Sequence, residues 1–188
     1  GVNKWKYYFA CIGVMCVMLL GAYWGNRAVS VLSEGLSGKV RHCIIIDPGH
    51  GGEDGGASSR AGKLESGYNL EIALRLEDLL HLLGYDTKLI RREDVSVYTT
   101  GQTIAQKKVS DLKNRVKTIN ETKNGILLSI HQNYFSDSRY SGAQVFYGNS
   151  EGSEALAKRL QASFVAALNP GSRRQAKQGK GIYLLEHA

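Results

Sequence analysis

The chain has few of the residues on which thiol chemistry depends. Its 188 residues include only three cysteines: Cys11 and Cys16 lie in one apolar run, and Cys43 opens an apolar segment. Each of them is most simply a small buried hydrophobe. The cysteines therefore exclude a disulfide framework, and they support neither a thiolate zinc site nor a cysteine nucleophile.

Several motifs of nucleotide and peptide chemistry are also absent. The sequence contains neither G-x-G-x-x-G nor G-x-x-x-x-G-K-[ST], which mark phosphate-binding loops, and it lacks the H-E-x-x-H pair found in many zinc proteases. We find no internal repeat. The basic residues are not interleaved with stacking aromatics, which disfavours a nucleic-acid-binding protein.

Positive charge is in excess, with a formal net charge of +7. Much of it lies in Lys107-Lys108 and in the segment 173–180. Such clusters indicate an anionic partner, and for an exported domain an anionic lipid surface or a cell-wall polymer is a better candidate than nucleic acid. The alternative is a solvated basic loop.

The first 28 residues have the character of a membrane segment. Residues 7–25 carry no charge, Lys4 and Lys6 precede them, and Arg27 follows. About twenty apolar residues suffice to span a bilayer, although a cleaved signal peptide is the alternative. We favour an uncleaved anchor at 1–28, a Ser/Gly-rich linker at 29–40 and an exported domain at 41–188.

The remaining residues alternate between strand and helix patterns. We predict strands at 42–47, 85–91, 126–131 and 142–147, and helices at 69–83, 111–123 and 153–168, with a further element starting at 182–185. Ser110 is the predicted cap of the second helix, and 93–108 is predicted to be an exposed loop. This order predicts an α/β domain with a mainly parallel, twisted sheet and helices on both faces.

Two histidines follow two of the predicted strands. His50 ends Asp47-Pro48-Gly49-His50 after the first strand, and His131 ends the third. Ligands of parallel sheets bind beyond the carboxyl ends of the strands, so the two imidazoles are well placed to share a metal ion. Catalytic zinc takes three protein ligands of this type, with one position left open. Glu65 is the best third candidate by position, with three competing acids: Glu53, Asp54 and Glu71.

Each part of this pattern has a simpler interpretation. A lone histidine is more often a hydrogen-bonded structural residue than a ligand, and we assign that role to His42, His81 and His187. The glycine-rich loop after the first strand could instead be a phosphate-binding nest.

Four segments carry a family resemblance in unbroken order. They are IIIDPGHGGEDGGA at 44–57, ESGYNLEIALRL at 65–76, the strand with a trailing arginine at 87–92, and SIHQN at 129–133, followed by GAQVFY at 142–147. Together they resemble the zinc-dependent N-acetylmuramoyl-L-alanine amidases. The domain behind an N-terminal membrane segment looks most like their spore-cortex, germination-specific branch. Gly67-Tyr68 departs from the Asp-Val that is more usual in this family.

The resemblance implies zinc held by His50, Glu65 and His131, with Asn133 supporting the site. It implies peptidoglycan as substrate, cleaved at the amide between the lactyl group of N-acetylmuramic acid and L-alanine. It leaves the need for an accessory protein open.

One element of the family pattern is missing from the sequence. The family's general-base glutamate lies on a later strand, and the sequence ends at Ala188 before any such segment. Glu186 corresponds to an earlier family element and is not expected to replace it. We therefore expect zinc binding with little turnover from this chain, or a longer natural protein. The alternative function is a non-catalytic peptidoglycan-binding or scaffolding module that retains the metal site.

Overall fold

The computed structural model describes residues 40–132 and 141–188, together with positions 15, 17, 18, 20 and 21. His42–Ala188 forms one compact unit. The predicted anchor at 1–28 and linker at 29–40 lie almost wholly outside the described residues. Within the described residues, no helix combines the length and the apolar character required to cross a membrane.

A parallel sheet organises the domain, as predicted. Strand β1 (Cys43–Pro48) pairs in parallel with β2 (Asp86–Leu89) on one side and β3 (Gly125–Ile130) on the other, in the order β2-β1-β3. The register of β1 and β3 sets Asp47 opposite Ser129 and Pro48 opposite Ile130. The carboxyl ends of these two strands therefore lie side by side.

The predicted strand at 142–147 is mostly wrong. Within it only β4 (Phe146–Tyr147) forms a strand, and it pairs with β5 (Lys177–Gln178) in a separate two-stranded parallel sheet. Gly142 has a left-handed φ of 87°, and the Val145 N–H donates to the Gln161 side chain at 2.8 Å. The turn at Gly142 and the hydrogen bond from Val145 to a side chain thus take the place of the backbone hydrogen bonds that a strand would form with its neighbour.

Four helices are described within His42–Ala188: α1 (Glu65–Leu82), α2 (Ile104–Asn120), α3 (Ser153–Leu168) and α4 (Tyr183–His187). The bounds of α3 agree with the prediction. Helix α1 begins four residues earlier than predicted, so Glu65 is its first residue rather than the end of the preceding loop.

The start of α2 corrects the predicted loop at 93–108. Thr103 is the N-cap: its side chain accepts from the Gln106 N–H, and Gln106 reaches back to the Thr103 N–H. This capping box is visible in the sequence as T-x-x-Q and was missed. Ser110 is buried within α2, where its hydroxyl accepts from the N–H groups of Thr99 and Thr100 at 3.2 Å each.

Helices cover both faces of the central strand. Ile45 and Ile46 are adjacent in β1, so their side chains point to opposite faces, yet neither is exposed to solvent. Ile45 packs with Ile119 of α2 and Leu184 of α4. No α1 residue belongs to that cluster, although α1 packs against β1 and β2, so α1 covers the Ile46 face.

The lysine pair 107–108 differs from the predicted basic loop. Both residues lie in α2, and both form ion pairs with the glycine-rich loop: Lys107 with Glu53 at 2.8 Å and Lys108 with Asp54 at 3.1 Å. Their charge is thus engaged within the domain. The segment 173–180 contains β5 and keeps most of its basic side chains at the surface.

Candidate metal centre

The edge of the sheet brings the two predicted histidines together. The Gly49 N–H donates to the Ile130 carbonyl at 3.0 Å, which extends the β1–β3 ladder one step beyond the strands. His50 and His131 follow directly. Their ring centroids are 4.9 Å apart, with an angle of 79° between the rings. Parallel strands are expected to place the residues that follow them side by side at one edge of the sheet, as they do here.

Glu65 completes the group from the first position of α1. Its Oε1 atom lies 3.4 Å from Nε2 of His50 and 3.0 Å from Nδ1 of His131. One ligand atom from each of the three residues lies within 4.8 Å of the others. Two competing acids are engaged elsewhere, since Glu53 pairs with Lys107 and Glu71 pairs with Lys63.

The surroundings of Glu65 favour its charged form. Burial by itself raises the pKa of this carboxyl, but the N–H groups of Ala57 and Gln132, each at 2.9 Å, together with nearby His50 and Asn69, lower the pKa below its ordinary value. Glu65 is therefore an anion at neutral pH although its side chain is only 6% exposed. A buried anion between two imidazoles is a strong attractor for a cation.

Asp54 has a supporting position rather than a ligand position. Its Oδ2 atom lies 3.0 Å from Nδ1 of His50, on the opposite side of the ring from the nitrogen that faces Glu65. When Nδ1 donates to Asp54, Nε2 carries the lone pair that a metal requires. Burial raises the pKa of Asp54, but the hydrogen bonds from His50 and Lys108 outweigh it, and the net pKa is lowered.

Two arginines hold the loop that carries His50. Arg91 donates to the carbonyls of Pro48 at 2.9 Å and Gly49 at 3.0 Å, and Arg115 donates to the carbonyl of His50 at 2.8 Å. His50 itself has a left-handed φ of 62°, which is costly for a residue with a side chain. The arginines stabilise that conformation. The sequence analysis predicts neither the role of Arg91 nor that of Arg115, although it identifies the strand with a trailing arginine at 87–92.

Two glycines leave the space that the three side chains occupy. A Cβ atom on Gly49 would lie 2.3 Å from the His131 ring. One on Gly56 would lie 2.7 Å from both Glu65 Oε2 and the His50 ring. The set of two imidazoles and one carboxylate is that of catalytic zinc with an open fourth position. The residues present therefore fit zinc.

We predict that Gly49→Ala lowers zinc affinity by about tenfold or more, in the range of changes that misorient a ligand. Gly49 is outside the left-handed region, so alanine suits the backbone, and the added methyl group must displace the His131 ring. That side chain is 46% exposed, so it can move without unfolding the domain. Competition with a chromophoric chelator measures the affinity.

Gly171→Ala is the matched control. Gly171 is exposed, also lies outside the left-handed region, and has open space around its Cβ position. Equal zinc affinity in the two variants would show that the space at Gly49 has no part in seating His131.

The remaining candidates lie elsewhere. Asn133 falls outside the described residues. His81 contacts the Thr87 hydroxyl at 2.6 Å, and His187 stacks on Tyr183. Glu186 accepts from the Gly181 N–H at 2.6 Å, so its carboxylate is already engaged within the C-terminal turn.

Comparison with known proteins points to one family. Residues 44–188 match the model of the Amidase_3 family, described as N-acetylmuramoyl-L-alanine amidase. The chain is 35% identical to the germination-specific N-acetylmuramoyl-L-alanine amidase of Bacillus subtilis (strain 168), over 98% of this chain and 78% of that protein. It is 31% identical to the amidase AmiA of Escherichia coli (strain K12), over 64% of this chain and only 37% of that protein.

Solved structures agree. The CwlD amidase of Clostridioides difficile, determined in complex with the GerS lipoprotein, superposes with a TM-score of 0.73. It is 36% identical in sequence, and the match covers 77% of this chain and 76% of that one. The fold is thus shared with an amidase of known structure.

Proposed function

Because the chain belongs to the Amidase_3 family of N-acetylmuramoyl-L-alanine amidases, we propose that its domain uses zinc to hydrolyse the amide between N-acetylmuramic acid and L-alanine in peptidoglycan. The single observation that carries the zinc dependence is the convergence of His50, Glu65 and His131 on one point. The buried carboxylate of Glu65 between two imidazoles, in space left by Gly49 and Gly56, supports this proposal.

Each residue of the proposed site has a distinct role. His50, Glu65 and His131 would hold zinc, and the ion would supply a Lewis acid that polarises the scissile carbonyl and lowers the pKa of a bound water. Glu65 brings the negative charge that offsets the cation. Asp54 fixes the proton of His50 on Nδ1, and the half-exposed His131 leaves one side of the site open to a bulky substrate.

A general base remains to be accounted for. Hydrolysis of an amide requires a group that takes the proton of water and delivers it to the leaving nitrogen. Within residues 40–132 and 141–188, the metal-ligating group contains no carboxylate besides Glu65, and neighbouring Asp54 is engaged with His50 and Lys108. We therefore expect turnover by the 188-residue chain to be about two to four powers of ten below that of a form with a base.

The test combines metal analysis with an assay of the purified 188-residue chain. We expect about one zinc per chain, together with little or no release of peptides bearing a free L-alanine amino group from muropeptides. A chain without zinc would contradict the proposed function. Rapid peptide release would contradict the expected lack of a base.

The metal site also suits a second function. If the chain binds zinc and muropeptides but never cleaves them, even when extended by a strand carrying a glutamate, a peptidoglycan-binding or scaffolding module is the better description. Asp54 and Glu186 both form hydrogen bonds within the domain, so neither carboxylate is free to act as a general base. This observation supports the second function.

We further propose that the domain acts outside the cytoplasm, on the cell wall or spore cortex, behind the anchor at 1–28. The names of the germination-specific relative and of a probable cell wall amidase of Staphylococcus epidermidis, 31% identical over 79% of this chain, support that setting. The structure of the CwlD amidase in complex with the GerS lipoprotein supports an accessory partner of that kind.

A further inference from the structure

A small cavity opens directly beside Glu65. It has a volume of about 180 Å³, and its lining includes Glu65, Lys63, Tyr68 and Gln132. Pockets for drug-sized ligands are generally larger, about 300–1,000 Å³. The cavity has room for a group the size of one amino-acid residue.

Lys63 and Tyr68 form an ordered pair at this cavity. The Lys63 Nζ atom lies 4.1 Å from the centre of the Tyr68 ring and 2.7 Å from Oε1 of Glu71. Its backbone is held as well, because the Ser59 N–H donates to the Lys63 carbonyl at 2.9 Å and the Lys63 N–H donates to the Ser59 hydroxyl at 3.0 Å. The ammonium group is therefore positioned before any ligand arrives.

The position of Tyr68 relative to the metal centre follows from helix geometry. Tyr68 lies three residues after Glu65 in α1, so the two side chains are neighbours on the helix surface. Tyr68 also belongs to the Gly67-Tyr68 pair that departs from the family pattern. Tyr68 is 37% exposed although it lies next to the buried Glu65.

The chemistry of the pair selects an anion. One face of the Tyr68 ring is covered by the lysine, so that face is closed to stacking with a sugar. The Lys63 ammonium group has three N–H donors. Among the contacts of the described residues it has one carboxylate partner, Glu71, whose side chain is 52% exposed. A ligand carboxylate can bind the remaining donors.

We propose that Lys63 and Tyr68 form a subsite for a carboxylate on the peptide side of the scissile amide. This inference rests on the proposed function, since it identifies which part of a muramoyl peptide lies against Glu65. The residue that follows L-alanine is the nearest part of the peptide, because Lys63 and Tyr68 line the same cavity as Glu65 and each extended residue spans about 3.3–3.6 Å. Lys63 and Tyr68 thereby contribute to specificity and not to the chemical step.

The test is a binding measurement with two ligands on the zinc-loaded 188-residue chain. Both ligands are N-acetylmuramoyl-L-alanyl-D-glutamate with the γ-carboxylate blocked as an amide; in one the α-carboxylate is free, and in the other it is a carboxamide. We expect the carboxylate form to bind about tenfold more tightly, the lower end for a hydrogen bond to a charged group at a partly exposed site. Isothermal titration calorimetry gives both dissociation constants.

Variants then assign the discrimination. Lys63→Gln is expected to remove the tenfold preference, and Tyr68→Leu to reduce it about two- to fivefold by removing the ring under the ammonium. Tyr68→Phe keeps the ring and should keep the preference. Lys113→Gln, at an exposed lysine of α2, is the matched control for lost charge and should also keep it.

The outcomes separate the two proposals. Equal binding of both ligands by the unchanged chain, or a preference that survives in Lys63→Gln, would overturn the subsite and leave the proposed function intact. Failure of both ligands to bind the zinc-loaded chain would overturn both proposals.

Discussion

Replacing Arg115 with methionine is expected to lower the free energy of unfolding by about 3–5 kcal/mol, the usual cost of breaking a buried ion pair. The Arg115 side chain is 2% exposed and pairs with Asp47, which is 1% exposed. It also bonds to Asp111 at 2.6 Å and to the His50 carbonyl. Methionine fills a similar volume but leaves the Asp47 carboxylate buried without its cation.

Urea denaturation followed by circular dichroism measures this loss. Arg159→Met removes an exposed arginine of α3 and should change the free energy of unfolding by less than about 0.5 kcal/mol. Adding Asp47→Asn to Arg115→Met should recover part of the loss, because the buried charge is then gone. If Arg115→Met has the same free energy of unfolding as Arg159→Met, the ion pair between Arg115 and Asp47 contributes nothing to stability.

Replacing His131 with alanine is expected to remove zinc from the purified domain. Two ligands would remain, and since changes to outer-sphere partners alone cost about 10–100-fold in affinity, loss of a direct ligand should cost at least about a hundredfold. Glu65 keeps its contacts with His50 and with two backbone N–H groups, so the fold should persist. Metal content by plasma emission spectrometry, beside a circular dichroism spectrum, checks both statements.

His42→Ala is the matched control for this variant. His42 is exposed at the start of the domain and is not part of the metal-ligating group. It should retain stoichiometric zinc and the increase in melting temperature that a ligand specific for the folded state produces. Equal zinc in His131→Ala and His42→Ala would remove His131 from the site.

The close approach of His50 and His131 could be predicted from the sequence, and the reason is general. Both follow apolar strand patterns, and parallel strands present their carboxyl ends at one edge. The third member of the group was less certain, because Glu53, Asp54, Glu65 and Glu71 all lie near that edge along the chain. What separates them is their partners: lysines engage Glu53 and Glu71, and the imidazole of His50 engages Asp54.

The features that the sequence did not reveal depend on long side chains that cross between elements. Arg115 reaches from α2 to Asp47 and His50, and Arg91 reaches from beyond β2 to Pro48 and Gly49. Nothing in local periodicity distinguishes such residues from surface arginines. The misplaced start of α2 is different, because the Thr103–Gln106 capping box is a local signal that outweighs the weak hydrophobic period of 104–110.

The pairing of β1 with β3 determines which changes of length the domain can absorb. An extra residue at Gly84, in the exposed turn after α1, only enlarges a surface connection, for which closure entropy grows slowly. An extra residue inside β3 would shift His131 by about 3.3 Å and turn its side chain to the opposite face of the sheet. The exposed connection at Gly84 can therefore change in length, while the two histidine-bearing strands must keep a fixed stagger.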